Sequence, residues 1–450
     1  MGLRERWVGM THFDLRRRFL SGAGLLLLYT QIARAESDPV AAATAELIAG
    51  IAEAARSGRP FTLKPGVTTI YQLVLPEGAH LLGGRGGSTL RLGYDGPMLA
   101  NAAPLRSLTF EGVTFDGAGR SINDAWGMLT FADVGQVRLE DCHLRNSDTA
   151  LLLRRCGGAI RLSTFEDLLG TAILDENCVG MTIDANVIRR CGDNGIHHWG
   201  DKSPRHDGTR ISNNIITDIR NVSGGDGLYG NGVRVADCGP VTIDANVVER
   251  CAYSAIRNTG GWDVVVSNNR CKALNERAVY AEFGFRNATF SQNFIEDCGA
   301  GIAATNFVGP GNGDGALIIG NVIAKLRPSH PDAEFGPRMG WLSGIQGEGD
   351  ARIVGNKVIG SPWVGILAGF FDARHNVTVE DNELIDNVFG VGFATQVAPG
   401  PAAIIGNRFR GSKKANIVAM LQTEVISGDL ALPGAVNHFA NMTIRDNLLL

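Results

Sequence analysis

The chain has 450 residues, 44% of them hydrophobic, with 59 glycines, 16 prolines and a formal net charge of -4. A compact domain of that length would usually divide, whereas a solenoid, in which each repeat touches only its neighbours, need not. The near-balanced charge offers no basic surface for nucleic acid, and eight cysteines in so long a chain do not make a disulfide framework.

At the N-terminus Arg16, Arg17 and Arg18 run into Phe19 and Leu20, followed by the apolar stretch Leu25 to Leu28 and the small-x-small sequence Ala33-Arg34-Ala35. This is the composition of a cleaved targeting segment, which takes no part in the fold. Residues 1–35 are assigned to it, with Glu36 as the mature start and with Met10 as good an initiator as Met1. The R-R-x-F-L core resembles a twin-arginine signal, although Leu15 stands where Ser or Thr is usual; an ordinary secretory signal is the alternative. Either implies a periplasmic or secreted protein. The apolar stretch falls short of the ~20 residues of a membrane span, so no stable span is expected after cleavage.

Residues 36–60 read as an N-terminal cap: Thr44 to Ser57 is predicted to form an amphipathic helix with Leu47, Ile48 and Ile51 on its apolar side. From residue 61 to 450 one frame recurs: hydrophobic, two variable residues, Asn, one variable residue, hydrophobic. The asparagines are Asn186, Asn214, Asn246, Asn269, Asn293, Asn321, Asn356, Asn382, Asn407 and Asn447, at intervals of 23 to 40 residues. Every position three before and two after is hydrophobic, from Ile183 and Ile188 to Ile444 and Leu449. Phe110-Val113-Phe115 and Leu139-Cys142-Leu144 keep the frame without Asn.

Repeats this short, built of β-branched runs punctuated by Asn and Gly, predict three brief strands per coil. About thirteen framed coils, ~4.8 Å apart, make a rod of roughly 60 Å. The predicted fold is all-β: a right-handed, single-stranded parallel β-helix with an N-terminal capping helix. Each framed Asn is placed at a turn, where it tolerates left-handed backbone and its amide bridges the Asn above to the one below. A second strand frame opens with Ile196, Val233, Ile256, Val279, Ile302, Ile345, Ile366, Val391 and Ile417. Extra turn material falls at Asp201 to Gly208, Gly224 to Gly232 and Arg327 to Trp341, and Leu421 to Ala440 is placed across the C-terminal end. Cys191, Cys251 and Cys298 occupy one slot with Ile219 and Leu274 between them, too far apart for disulfides, so the cysteines are read as free packing residues.

The opening helix, Phe61-Thr62-Leu63-Lys64-Pro65-Gly66, Leu75-Pro76-Glu77-Gly78 and Ser88-Thr89-Leu90-Arg91-Leu92 resemble the N-terminal cap of pectate-lyase-like β-helix proteins. Joined to the twin-arginine signal, the repeats are similar to those of an uncharacterised family of twin-arginine-translocated repeat proteins. That resemblance implies a polysaccharide bound across one sheet, between walls made by its flanking turns. The V-W-I-D-H of pectate lyases and the G-H-G and R-I-K of polygalacturonases are missing, which argues against those two activities.

Strand alternation directs His197, Arg234, Arg257 and Tyr280 outward from four successive coils of the second frame. The neighbouring outward row carries Glu176, Trp199, Thr259 and Glu282. An arginine that neutralises a uronate carboxylate also acidifies the adjacent C–H, and a His or Tyr then moves the proton. On that chemistry His197, Tyr280 and Arg257 are the candidate catalytic residues, and Arg234, Trp199, Glu176 and Glu282 the candidate substrate-binding residues, of an open groove. The reaction would be β-elimination or C5-epimerisation of an acidic polysaccharide by a monomer. The alternative is a non-catalytic glycan-binding or envelope-associated scaffold; plain polar surface is the third reading. Glycoside hydrolysis ranks last, because Glu176 and Glu282 lie several coils apart. The histidines of the segment His197 to Asp207 show no metal-ligand spacing, so no metal ligands are assigned, calcium alone being kept as a potential cofactor; the segment is read as a wall of the cleft.

Overall fold

The structure is a computed structural model that describes residues 38–450 apart from 123–126, 204–205, 226, 306–313, 329–341, 371–373 and 396–399. The expected signal segment, 1–35, lies outside the described residues, as does most of the expected insertion Arg327 to Trp341. One coil shows the construction: strands Thr182–Asp184, Val187–Cys191 and Ile196–Trp199 follow one another around the rod. The next coil repeats them as Thr209–Ser212, Ile215–Ile219 and Val233–Ala236. Stacking gives three sheets of fifteen strands each, a right-handed parallel β-helix.

The two-residue alternation of a strand puts the framed hydrophobic residues inside. Ile183, Ile211 and Ile243 stack in the first sheet and Ile188, Ile216 and Val248 in the second. Ile196, Val233, Ile256 and Val279 stack in the third. All are buried, within one core running the length of the rod.

The framed asparagines lie between first and second sheets and are buried from Asn186 to Asn407. Asn186 Nδ2 donates to Asn214 Oδ1 at 2.9 Å and to the carbonyl of Ile160 at 2.9 Å, and the Asn186 backbone N–H donates to the same Oδ1 at 3.0 Å. The pattern continues to Asn447. The expectation of left-handed backbone at these asparagines is corrected by one residue. The bend is taken by the residue before each, with φ of 55° at Ala185, 56° at Asn213 and 55° at Ala245. The Asn itself must aim its amide inward at two coils, so its neighbour makes the turn.

The cap helix spans Pro39–Arg56, five residues earlier than the pattern implied, because Asp38 caps it (Oδ1 to the Val40 N–H, 2.9 Å) and Pro39 supplies the first-turn φ. Ile51 is in the core and Leu47 and Ile48 pack against it. At the other end Leu421 to Ala440 does fold back on the last coil. Glu424–Val425 pairs antiparallel with Met420 and Leu421, and Asp429 accepts the backbone N–H groups of Asn416 and Ile417.

All eight cysteines are buried and free. Cys191 and Cys251 flank Ile219 in register, as the spacing required. Cys156 and Cys178 are different: they sit on adjacent coils, with the Cys156 N–H 3.3 Å from Cys178 Sγ.

Candidate functional site

Residues 197, 234, 257 and 280 are hydrogen-bonding neighbours across four strands of the third sheet, so the predicted column exists. It is not the open groove that strand alternation alone implied. His197, Arg234, Arg257 and Tyr280 retain 6%, 9%, 5% and 3% of their accessible surface. Gly227, in the turn that precedes the Val233–Ala236 strand, packs against one of them, Arg257. At φ +89°, it approaches so closely that a Cβ there would stand 2.0 Å from Nη1. The turn is pinned by Asn231 Nδ2 donating to the Gly227 carbonyl (3.0 Å) and by the Tyr253 hydroxyl donating to that of Gly225 (2.9 Å).

Arg257 is paired with two carboxylates. Its Nε and Nη2 donate to the two oxygens of Glu282 at 2.7 and 2.9 Å, and its Nη1 donates to Glu276 Oε2 at 2.8 Å. Burial disfavours its charge, but the two carboxylates more than offset that and hold the guanidinium above its ordinary pKa. Glu276 has no place in the sequence reading; its signal was only its position at the mouth of the turn before Arg277–Glu282. It also accepts from the Ser254 hydroxyl at 3.2 Å and lies 3.7 Å from Arg277. Tyr280 is held between two guanidiniums, Arg257 at 4.8 Å and Arg277 at 4.5 Å from its ring centre. Its hydroxyl is 3.3 Å from Thr305 Oγ1, and burial keeps the phenol protonated far above neutral pH.

Arg234, one coil before Arg257, is in the opposite condition. Its Nη1 donates to His197 Nε2 at 2.5 Å, its Nε is buried without a partner, and it makes no ion pair among the described residues. Burial and the charge of Arg257 lower its pKa to about 10. Burial, Arg234 and His198 hold the imidazole of His197 well below its ordinary pKa, so it is neutral and accepts this hydrogen bond.

Trp199 stands beside His197, the two rings nearly parallel (11°) with centres 6.2 Å apart, and is 39% exposed. Its row continues through Ala236 and Thr259 to Glu282, so only small side chains adjoin Arg234 there. Glu176, on the same row, accepts from Arg154 Nε at 2.6 Å and does not join the others. Glu282 does join them, as the partner of Arg257 and not as a free carboxylate.

The segment His197 to Asp207 is not simply a wall. His198 faces inward, its Nδ1 held by Asp175 and its Nε2 by Asp207 Oδ2 at 2.7 Å, all three buried. Burial opposes the imidazolium, yet the flanking carboxylates, Asp175 foremost, hold its pKa well above the usual value.

Residues 127–323 match the family model described as the right handed beta helix region. No curated protein sequence matches the chain. Among solved structures it is similar to the tailspike protein of E. coli bacteriophage HK620 in complex with pentasaccharide, at 11% identity and a TM-score of 0.51, over 90% of this chain and 74% of that one. It is similar to the pre-mature bacteriophage phi29 gene product 12 at 14% identity and 0.50, over 83% and 53%. The catalytic unit of a Streptomyces thermodiastaticus GH87 alpha-1,3-glucanase aligns at 15% identity and 0.47, over 92% and 67%. At these identities the likeness establishes the fold alone. Among the described residues no helix is long and apolar enough to cross a membrane.

Proposed function

We propose that the protein binds an acidic polysaccharide at the third sheet, with Arg234 receiving a sugar carboxylate and Trp199 offering a ring to an adjacent sugar face. One observation carries this reading. Of the two buried guanidiniums in the column, Arg257 is ion-paired with two carboxylates, whereas Arg234 contacts none among the described residues and hydrogen-bonds only a neutral imidazole, Glu282 and Asp237 acting on its charge from a distance. A buried cation without a counter-ion is costly unless an anion completes it. A carboxylate fits the two-pronged donor face of a guanidinium, and the exposed indole nearby suits the apolar face of a pyranose. The similar tailspike fold, recorded with a pentasaccharide, supports a glycan as the ligand.

The finer reading is β-elimination or C5-epimerisation, in a periplasmic or secreted protein. His197 is the better proton carrier, because it adjoins Arg234 in register whereas Tyr280 is two strands away. When a substrate carboxylate takes Nη1 of Arg234, Nε2 of His197 loses its donor and is released to accept a proton. Hydrolysis is disfavoured, since Glu276 and Glu282 are both committed to Arg257.

The test is binding of the mature protein to polyuronates and to neutral glucans of equal length, with ultraviolet detection of unsaturated uronate ends. Wild type should prefer the polyuronate, and Arg234→Met should weaken that binding about tenfold or more. Equal affinity for both polymers, or unchanged binding by Arg234→Met, overturns the proposal. Binding without unsaturated or epimerised product leaves binding as the function and removes catalysis.

A further inference from the structure

Beneath the outer column a second cluster lies on the inner face of the same coils. His198 points into the rod because His197 points out. Asp175 stands opposite it on the preceding coil and accepts from Nδ1. On the far side of the ring, Nε2 meets Oδ2 of Asp207 at 2.7 Å. Asp207 is carried inward by the enlarged turn between the third and first sheets, and its Oδ1 is fixed by the Thr209 N–H at 3.0 Å. Cys238 comes from the equivalent turn one coil further on. One ligand atom each from His198, Asp207 and Cys238 lies within 4.8 Å of the other two, and all three residues are buried.

The chemistry of this set is specific. Nitrogen, oxygen and thiolate sulfur together suit a borderline cation of the zinc class, whereas calcium and magnesium take oxygen ligands. Tetrahedral zinc, with bonds of about 2.0–2.3 Å, sets its ligand atoms about 3–4 Å apart, within the span of the cluster. On binding, the ion would displace the Nε2 proton of His198 and the thiol proton of Cys238, so that one carboxylate and one thiolate offset the two positive charges and His198 is a neutral ligand. The other nitrogen of that imidazole is already held by a carboxylate, the outer partner that zinc-bound histidines characteristically have. Asp175 has no other task there, since its Oδ2 is buried without a partner.

We propose that His198 Nε2, Asp207 Oδ2 and Cys238 Sγ form an interior zinc site, with Asp175 as the positioning carboxylate and water as a fourth ligand. The ion would tie the third-sheet strand of one coil to its own turn and to the turn of the next coil, directly beneath His197 and Arg234. It is independent of glycan binding on the outer face.

Because the ligands are buried, the metal has to be acquired during folding. The full chain is therefore unfolded with chelator and reductant and refolded with zinc, with cobalt(II) or with neither, and loose metal is stripped on a weak chelating resin. The expected result is one retained zinc per chain, a higher thermal midpoint than the metal-free chain, and a thiolate-to-cobalt charge-transfer band. Cys238→Ser should lose the band and most of the affinity. Asp175→Asn should keep the band while weakening affinity about 10–100-fold. Where Cys238→Ser does not fold, Asp207→Asn, of equal size, replaces it and should lose metal likewise. No retained zinc with identical melting of the refolded chains overturns the proposal. So does retention unchanged in Cys238→Ser or Asp207→Asn, which would place the metal elsewhere.

Discussion

Arg234 donates to the Nε2 of His197 across 2.5 Å, so a buried charge rests on a neutral partner one coil away. The next guanidinium along the same row, Arg257, is enclosed by Glu276 and Glu282. Two residues of one type in adjacent coils therefore answer to different demands. Replacing each by methionine, which keeps much of the volume, should separate them. Arg257→Met leaves the buried Glu282 without a cation and Glu276 with only the more distant Arg277, and should cost about 3–5 kcal/mol in urea unfolding. Arg234→Met orphans no charge and should change stability by on the order of 1 kcal/mol. Equal losses in the two variants would mean that Arg234 is a structural counter-charge.

The asparagine ladder predicts a second stability effect. Asn269 Oδ1 accepts from both the backbone N–H and the side-chain amide of Asn246, while its own Nδ2 donates to Asn293 Oδ1 and to the Ile243 carbonyl, each at 3.0 Å. Asn269→Ala strands several of these groups in the interior. Each costs roughly 1–3 kcal/mol if water does not reach it, so the variant should lose at least about 2 kcal/mol, read as a fall in thermal midpoint with glycan binding retained.

Thiol titration checks the cysteines. With all eight free and buried, denaturation without reductant should release eight reactive thiols, and the folded protein far fewer. Recovery of six would single out Cys156 and Cys178, the pair on adjacent coils, as oxidised.

Glu166 supplies a pH signature. Its carboxylate accepts from Arg189 and Arg190 and meets His143, each at 2.7 Å. Burial works against its charge, but those hydrogen bonds hold it below the usual carboxylate range. Its unfolded pKa is about 4.3. A depressed folded pKa stabilises the fold above that value and loses the contribution as pH falls through the folded one. The thermal midpoint of Glu166→Gln should start lower than wild type at pH 7 and fall less steeply below about pH 4.3. Parallel curves would show that Glu166 contributes nothing.

The spacing of Asn and its flanking hydrophobic residues fixed the coil, the register and the inward set. Those properties depend on which residues recur at which interval, and parallel stacking repeats the interval without alteration. The same spacing put His197, Arg234, Arg257 and Tyr280 on one row of one face, and the cap helix was legible from its amphipathic pattern. His198 fell within a segment expected to wall the cleft, and nothing local said that it would meet Asp175 and Asp207 inside the rod. The row is buried, and at Arg257 the turn approaches as closely as it does only because Gly227 lacks a side chain. The separation of Arg257, with two carboxylates, from Arg234, with no ion pair among the described residues, needed Glu276, which lies outside the outward rows, to turn back onto one of them. Asp207 and Cys238 are 31 residues apart and share no strand frame, yet two turns between the same pair of sheets bring them to one imidazole. Periodic strands are set by local pattern, whereas charge pairing and burial are set by where the irregular turns fold, and only the tertiary structure decides that.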